Sequence, residues 1–329
     1  MTEPLNVEQA AARLREADHV LILCHKNPDG DTIGCGSALY HALTAMGKTA
    51  AVLCVDPVPR RLCYTRPRLF RGEFEPGLVV AVDVAGTQLF GDTGLMPSYS
   101  RRVDLCIDHH AGNNGYAQYT LLDPTAAATA ELLCDVIEAM GVELDTQMAD
   151  CLYTGLATDT GCFRFSNTTA RTHRVAARLM EAGARVEELN TLLFSTKTRG
   201  QMEAERMAQS HLEYALEDRC ALIWLSQDEI EASQADPADL EELTALPIGI
   251  EGVRVGLTFR QQPSGSWRIS IRTTRDVNAV AIARRLGGGG HLRAAGCELL
   301  GTLDNVKSAV LTEVQAVLEA PEETVCRES

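Results

Sequence analysis

HVLILCHKNPDGD, residues 19–31, is the stretch on which the reading of the chain turns. An apolar run of strand length, 19–24, stops abruptly at a histidine and two aspartates set around an Asn-Pro-Asp-Gly turn. A nearly continuous apolar run is what a strand looks like when helices cover both faces of its sheet. The pattern recurs in TAAVLCV (49–55), LVVAVD (78–83) and RVDLCID (102–108). Helical patterns follow at 32–47, 125–141 and 146–161, with Thr125 as the expected N-cap of the second and Gly141 as its stop. This alternation predicts an α/β fold with a mostly parallel N-terminal sheet and helices on both of its faces.

The texture changes after residue 195. A polar, helix-prone stretch reads as a helical linker over 196–212. Strand patterns then appear at 220–226, 252–261 and 266–274, the last two joined by a Pro-Ser-Gly turn that predicts a hairpin. A helix at 277–286, a glycine run, AAGCELLG and a last helix near 304–319 complete a smaller α+β domain. The expected division is a first domain over 1–195, the linker, and a second domain over 213–329, facing each other across a cleft.

Charge narrows the function. The 329 residues carry 45 Asp and Glu against 30 Lys and Arg, a formal net charge of -15. Such a surface repels duplex DNA, whose binding rests on cations meeting phosphates. A short anionic substrate remains compatible if positive charge gathers in one place. The 11 cysteines include no CxxC pair, and most lie in apolar runs, as do Cys24, Cys54, Cys106 and Cys134. They read as small buried residues in a reducing compartment rather than a disulfide framework or zinc site. No apolar run reaches the ~18–20 residues of a membrane span, and no signal-like segment opens the chain. The expectation is a cytoplasmic protein without membrane contact, its state open between monomer and homodimer.

The chemistry sits at the strand ends. The first strand runs into His25, Asp29 and Asp31, LVVAVD ends in Asp83, and RVDLCID ends in Asp108, His109 and His110. Carboxyl ends of parallel strands open into one ligand-binding crevice. Asp159 closes the predicted helix 146–161. Singly, each is commonly a turn or cap residue; together, at consecutive strand ends, they describe a site. Four carboxylates in one crevice repel one another unless cations lie between them. Oxygen donors with a few imidazoles suit Mn²⁺ or Mg²⁺, and two such ions can activate a water and neutralise phosphoryl charge. In the second half, Gly287, Gly288, Gly289 and Gly290 leave four residues without side chains, so their N–H groups can approach a phosphate. Arg272 is a further anion contact, its planar fork suited to phosphate.

HKNPDGD (25–31), strand-terminal Asp83, DHH (108–110) and ATDTGCFRFSNTT (157–169) together resemble the DHH phosphoesterase family, and GGGGHLRAAG (287–296) resembles the glycine-rich motif of its associated C-terminal domain. The resemblance spans nearly the whole chain and implies two divalent metal ions, Mn²⁺ before Mg²⁺. His25 and Asp29 would hold the first, Asp31, His109 and Asp159 the second, and Asp83 both. Asp108 would orient a neighbouring ligand, and His110 would face the phosphate and assist the departing oxygen. Arg272, the glycine run and His291 would hold the far end of the substrate. Cys24 and Cys35 stand where many relatives carry Ser or another small residue, a change expected to touch packing rather than chemistry.

The activity this implies is hydrolysis of short oligoribonucleotides to nucleoside 5′-monophosphates, of 3′-phosphoadenosine 5′-phosphate (pAp) to AMP and phosphate, or of both. The rival chemistry is cleavage of cyclic or linear dinucleotides of the c-di-AMP type. A pyrophosphatase would not need the glycine-rich clamp, and a non-catalytic sensor would show degenerate ligands, which this sequence does not.

Overall fold

The computed structural model describes residues 2–319, divided into two units, Met1–Thr196 and Lys197–Ser329. In the first unit six strands, β1 (Glu3–Pro4), β2 (Val20–Leu23), β3 (Ala50–Leu53), β4 (Leu78–Val82), β5 (Leu105–Asp108) and β6 (Tyr119–Leu122), form one sheet in the order β1-β6-β5-β4-β2-β3. Every pairing is parallel. The continuous apolar runs follow from burial on both sides. Val20 and Ile22 enter the core that contains Ile33, Leu39 and Leu133, whereas Leu21 and Leu23 enter a separate core with Phe70, Phe90 and Met96. From β2 the chain passes to β3 on one side and returns to β4 on the other. The order therefore reverses between β2 and β4, and a crevice opens at such a switch point.

Two helices frame that crevice, Gly30–Ala45 and Thr146–Asp159. Glycine inside a helix costs about 0.5–1 kcal/mol relative to Ala, and close contact accounts for two of them here. A Cβ on Gly34 would overlap the Cys151 carbonyl oxygen, and one on Gly155 would overlap the Asp31 carboxylate. The two helices touch backbone to backbone, which brings Asp31 near Asp159. The helix expected over 125–141 runs Thr129–Ala139, with Ala128 rather than Thr125 as its N-cap. Thr125 instead bonds Asp123 in the preceding turn. The displaced start has a long-range cause: the first N–H groups, of Thr129 and Ala130, donate to the Asp31 carboxylate at 2.6 and 3.1 Å. Gly141, at φ 79°, follows the helix end as expected.

In the second unit the sheet order is β11-β12-β10-β9-β8-β7, with β7 (Glu213–Ala215), β8 (Cys220–Leu225), β9 (Val255–Gln261), β10 (Trp267–Thr273), β11 (Gly289–His291) and β12 (Ala294–Leu299). It is mixed: β8 and β9 are parallel, and β9 and β10 form the expected antiparallel hairpin. Helices Ala279–Arg285 and Leu303–Glu319 pack on its core through Ile282, Val306, Val310 and Val314. In the segment expected as a linker, the helix Arg199–Ser210 buries Ala204 and Ala208 against Ile223, Leu225, Leu240 and Leu243, within the second unit. Residues 320–329 of the expected second domain lie outside the described residues. Cys24, Cys106 and Cys134 are buried and Cys54 partly so, all as free thiols. Among the described residues no helix is long and apolar enough to cross a membrane.

Candidate metal centre

β2 ends two residues before His25, and Asp29 N-caps the helix that follows, its Oδ1 accepting the N–H groups of Asp31 and Thr32 at 3.1 Å each. The turn is thereby locked, and Asp31 enters the first helical turn fully buried. Asp83 follows β4 with φ 60°, a left-handed conformation that Asp tolerates better than most residues. Its N–H still reaches the Ile107 carbonyl at 3.0 Å, so the sheet fixes the backbone there. β5 delivers Asp108, His109 and His110, and the helix Thr146–Asp159 ends on Asp159.

These side chains converge. His25, Asp29 and Asp83 place one donor atom each within 4.8 Å of one another, and so do Asp31, His109 and Asp159. Asp83 joins the two groups: its Oδ2 lies 3.7 Å from His25 Nε2, and its Oδ1 lies 3.7 Å from His109 Nε2. His25 Nε2 is 3.5 Å from Asp29 Oδ1, and His109 Nε2 is 3.1 Å from Asp159 Oδ2. Two donors each ~2.1 Å from one octahedral ion stand ~3 Å apart at a right angle and ~4.2 Å apart when opposed. The observed separations fall within that interval.

The imidazoles are set up as donors. His25 Nδ1 bonds the Lys26 carbonyl at 2.8 Å and His109 Nδ1 the Ala126 carbonyl at 3.2 Å. Each carbonyl fixes the proton on Nδ1, which leaves the Nε2 lone pair facing the carboxylates. With its proton on Nδ1, the His109 ring has a buried Nε2 without a hydrogen-bond partner among the described residues. A lone pair aimed at carboxylates is repulsive unless a cation stands between them, so the donor set fits hard divalent ions. A proton is the alternative cation. Burial alone would depress both rings, but carboxylate bonds overcome it and push His25 up to about 10, through Asp29 and Asp83, and His109 up to about 9, through Asp159. Burial, then Asp83, Asp159 and Asp29, holds the Asp31 carboxyl well above the usual range. Burial also raises Asp159, against the bond from His109.

Asp108 holds the imidazole of the neighbouring His110. Its Oδ1 accepts His110 Nδ1 at 2.8 Å and the backbone N–H of His109 at 2.9 Å, while Oδ2 accepts Asn113 Nδ2 at 2.6 Å. The Nε2 of the His110 ring has no hydrogen-bond partner among the described residues. The bond to Asp108 raises the His110 pKa despite burial. Cys35 was expected to affect packing alone; its thiol instead lies 3.3 Å from Asp31 Oδ1 as a hydrogen-bond donor.

Sequence reading missed Thr129. Its N–H donates to Asp31 Oδ2 at 2.6 Å and its hydroxyl to Asp83 Oδ1 at 2.9 Å, so one residue ties a carboxylate from each group. The only local signal is a helix-starting Thr in an alanine run, and its partners are 98 and 46 residues away.

In the second unit Arg272, Gly289 and Gly290 line a groove of about 490 Å³ with Arg268, Ser270 and Glu241. Burial lowers the Arg272 pKa. The glycine run is more structural than its sequence suggests. Gly287 and Gly288 donate their N–H groups to Arg284 and Ala283 carbonyls, ending a helix, and a Cβ on Gly288 would overlap the Gly296 carbonyl. Gly289 and Gly290 belong to edge strand β11, paired with Gly296 and Ala295. His291 closes that strand and is exposed.

Fold and site define a class: an α/β protein whose sheet switch point gathers carboxylate and imidazole donors suited to hard divalent cations. Residues 19–156 match the N-terminal domain of the DHH family and residues 227–320 the DHHA1 domain. The chain is 33% identical over 314 residues to the bifunctional oligoribonuclease and PAP phosphatase NrnA of Thermus thermophilus, covering 91% of this chain and 90% of that protein. It is 24% identical to the protein of the same name from Bacillus subtilis, over 86% of this chain and 90% of that one. A crystal structure of an exopolyphosphatase-related protein from Bacteroides fragilis superposes with a TM-score of 0.85 at 23% identity, covering 94% and 96% of the two chains. The chain belongs to the DHH family.

Proposed function

We propose that the chain is a cytoplasmic two-metal phosphoesterase that hydrolyses short oligoribonucleotides to nucleoside 5′-monophosphates and pAp to AMP and phosphate. The observation that carries this reading is Asp83, whose two oxygens face separate donor groups, each 3.7 Å from a histidine Nε2. His25, Asp29 and Asp83 would hold one ion, and Asp31, His109, Asp159 and Asp83 the other. Oxygen and imidazole donors without a thiolate favour Mn²⁺, with Mg²⁺ second. Bound there, the ions would supply an activated water and neutralise phosphoryl charge. The chain's own residues do the rest. Asp108 fixes the His110 ring, and His110 Nε2 is free to give a proton to the departing oxygen. Arg272 and the groove around it would hold a second phosphate of the substrate. The names of the relatives from Thermus thermophilus and Bacillus subtilis support the substrate class.

The test is a product analysis with Mn²⁺, comparing pAp, an RNA dinucleotide, a pentanucleotide, c-di-AMP and pyrophosphate. We expect 5′-monophosphates from both RNAs and AMP from pAp. Turnover confined to pyrophosphate or to c-di-AMP would overturn the assignment.

Thr129 gives a more local check. Thr129→Val keeps the shape and removes the hydroxyl that orients Asp83. Loss of an orienting group beside a ligand typically weakens metal binding about 10–100-fold. Calorimetric titration with Mn²⁺ should show a drop in that range, largely restored in Thr129→Ser. Unchanged affinity in Thr129→Val would mean that Asp83 is held well enough by the sheet alone.

A further inference from the structure

The loop that follows Asp159 has features the metal centre does not use. Gly161, Cys162 and Phe163 are consecutively left-handed, with φ of 55, 57 and 63°. Glycine adopts this region freely; Cys and Phe do so at a cost that persists mainly at functional sites. The excursion sorts the side chains. Phe163 turns inward and stacks on His173 with ring centroids 5.2 Å apart. Arg164 and Phe165 turn outward, and Phe165 is 56% exposed.

Both outward residues are nonetheless anchored. The Phe165 ring lies against the Gly161 backbone, so that any Cβ at 161 would overlap ring carbons. Arg164 Nε donates to the Gly161 carbonyl at 2.6 Å, and the N–H groups of Arg164 and Phe165 both donate to the Thr160 carbonyl at 2.9 Å. Asn167 ties the loop to its surroundings, with Nδ2 3.1 Å from the Asp159 carbonyl and 3.0 Å from that of Ala127. Gly161, on which the Phe165 ring rests, is two residues from Asp159, so the Cα atoms of these two are at most ~7.6 Å apart. Arg164 has no ion-pair partner among the described residues, in a chain with 45 acidic and 30 basic residues. A cation left uncommitted in the loop that follows Asp159 is suited to an incoming anion.

We propose that Arg164 and Phe165 form a nucleotide subsite, in which the Phe165 face stacks on the base next to the phosphate being cleaved and Arg164 holds a phosphate through its remaining N–H groups. The proposal rests on the phosphoesterase reading and says how that site would recognise a nucleotide rather than a bare phosphate ester. Stacking on an aromatic ring does not depend on which base is present, so the subsite would accept any of the four.

The experiment uses a dinucleotide analogue with a methylene group in place of the bridging oxygen, which binds whether or not the chain turns it over. Versions lacking one base or the other are compared with it by calorimetry in Mn²⁺. Phe165→Ala should weaken the complete analogue about 5- to 100-fold and leave one of the base-lacking versions unchanged, with Phe165→Trp restoring affinity. Arg164→Gln should weaken all versions alike. Equal losses for every version in Phe165→Ala, or no loss in any, would overturn the subsite. Turnover of the natural dinucleotide by the wild-type chain, followed separately, reports on the phosphoesterase reading itself.

Discussion

Asp83→Asn is expected to reduce turnover of a dinucleotide by about a thousandfold or more and to relieve the carboxylate crowding that raises Asp31 in the metal-free protein. The first effect follows from its position between the two donor groups, 3.7 Å from His25 Nε2 on one side and from His109 Nε2 on the other. Losing the shared carboxylate weakens both sites at once. Electrostatic stabilisation by bound metal amounts to several kcal/mol, and each ~1.4 kcal/mol is tenfold in rate. The second effect follows from crowding. Asp83 is the second cause, after burial, of the raised Asp31 pKa. An amide keeps the shape and still accepts the Thr129 hydroxyl, now bonded at 2.9 Å, while it removes one of the repelling charges. The measurements are kcat with Mn²⁺, bound manganese per chain, and the titration of Asp31 in EDTA. Wild-type turnover, or two tightly bound ions in the variant, would sink the assignment of Asp83 as the shared ligand.

The parts of this protein that were legible in its sequence are those written locally. β2, β4 and β5 are apolar runs because helices and loops cover both faces, and each runs directly into an Asp or His. The centre could be assembled because three of its contributions sit at strand ends and the fourth at a helix end. What could not be read depends on partners distant in the chain. β6, Tyr119–Leu122, is four residues beside a polar loop, and β1 is two residues whose only sign is a parallel pairing with β6. The start of the helix Thr129–Ala139 is set by a carboxylate 98 residues earlier, so the local cap signal at Thr125 misled. Gly155 reads as a helix weakness until the Asp31 carboxylate is found against it. The glycine run is expected to offer its N–H groups to a phosphate, yet two of those groups end a helix and two of its residues form an edge strand.

The affinity for Mn²⁺ should rise about 10- to 100-fold per pH unit between pH ~6.5 and ~9, while the metal-free fold loses stability over the same window. In the folded chain His25 is pushed up to about 10 and His109 to about 9, by the carboxylates that overcome burial. Their unfolded value is about 6.5. A histidine raised on folding contributes stability that is complete below the unfolded value and is lost as pH climbs through the folded one. Asp31 and Asp159, also raised, act with the same sign from a lower starting pH. Asp29 and Asp108 are lowered, and their opposing contribution changes only in acid, below the usual carboxylate range near ~3.9. Nothing therefore offsets the histidines near neutrality. A metal needs the Nε2 lone pairs that these protons occupy, so binding expels between one and two protons, and the logarithm of affinity rises with pH by that number. Calorimetry in buffers of different ionisation enthalpy counts the protons directly, and Tm with EDTA or Mn²⁺ at pH 6.5, 7.5 and 8.5 follows stability. The gap between the two Tm values should widen as pH rises. A manganese affinity flat across this range would mean that His25 and His109 do not surrender protons to the metal, and hence that they are not its ligands.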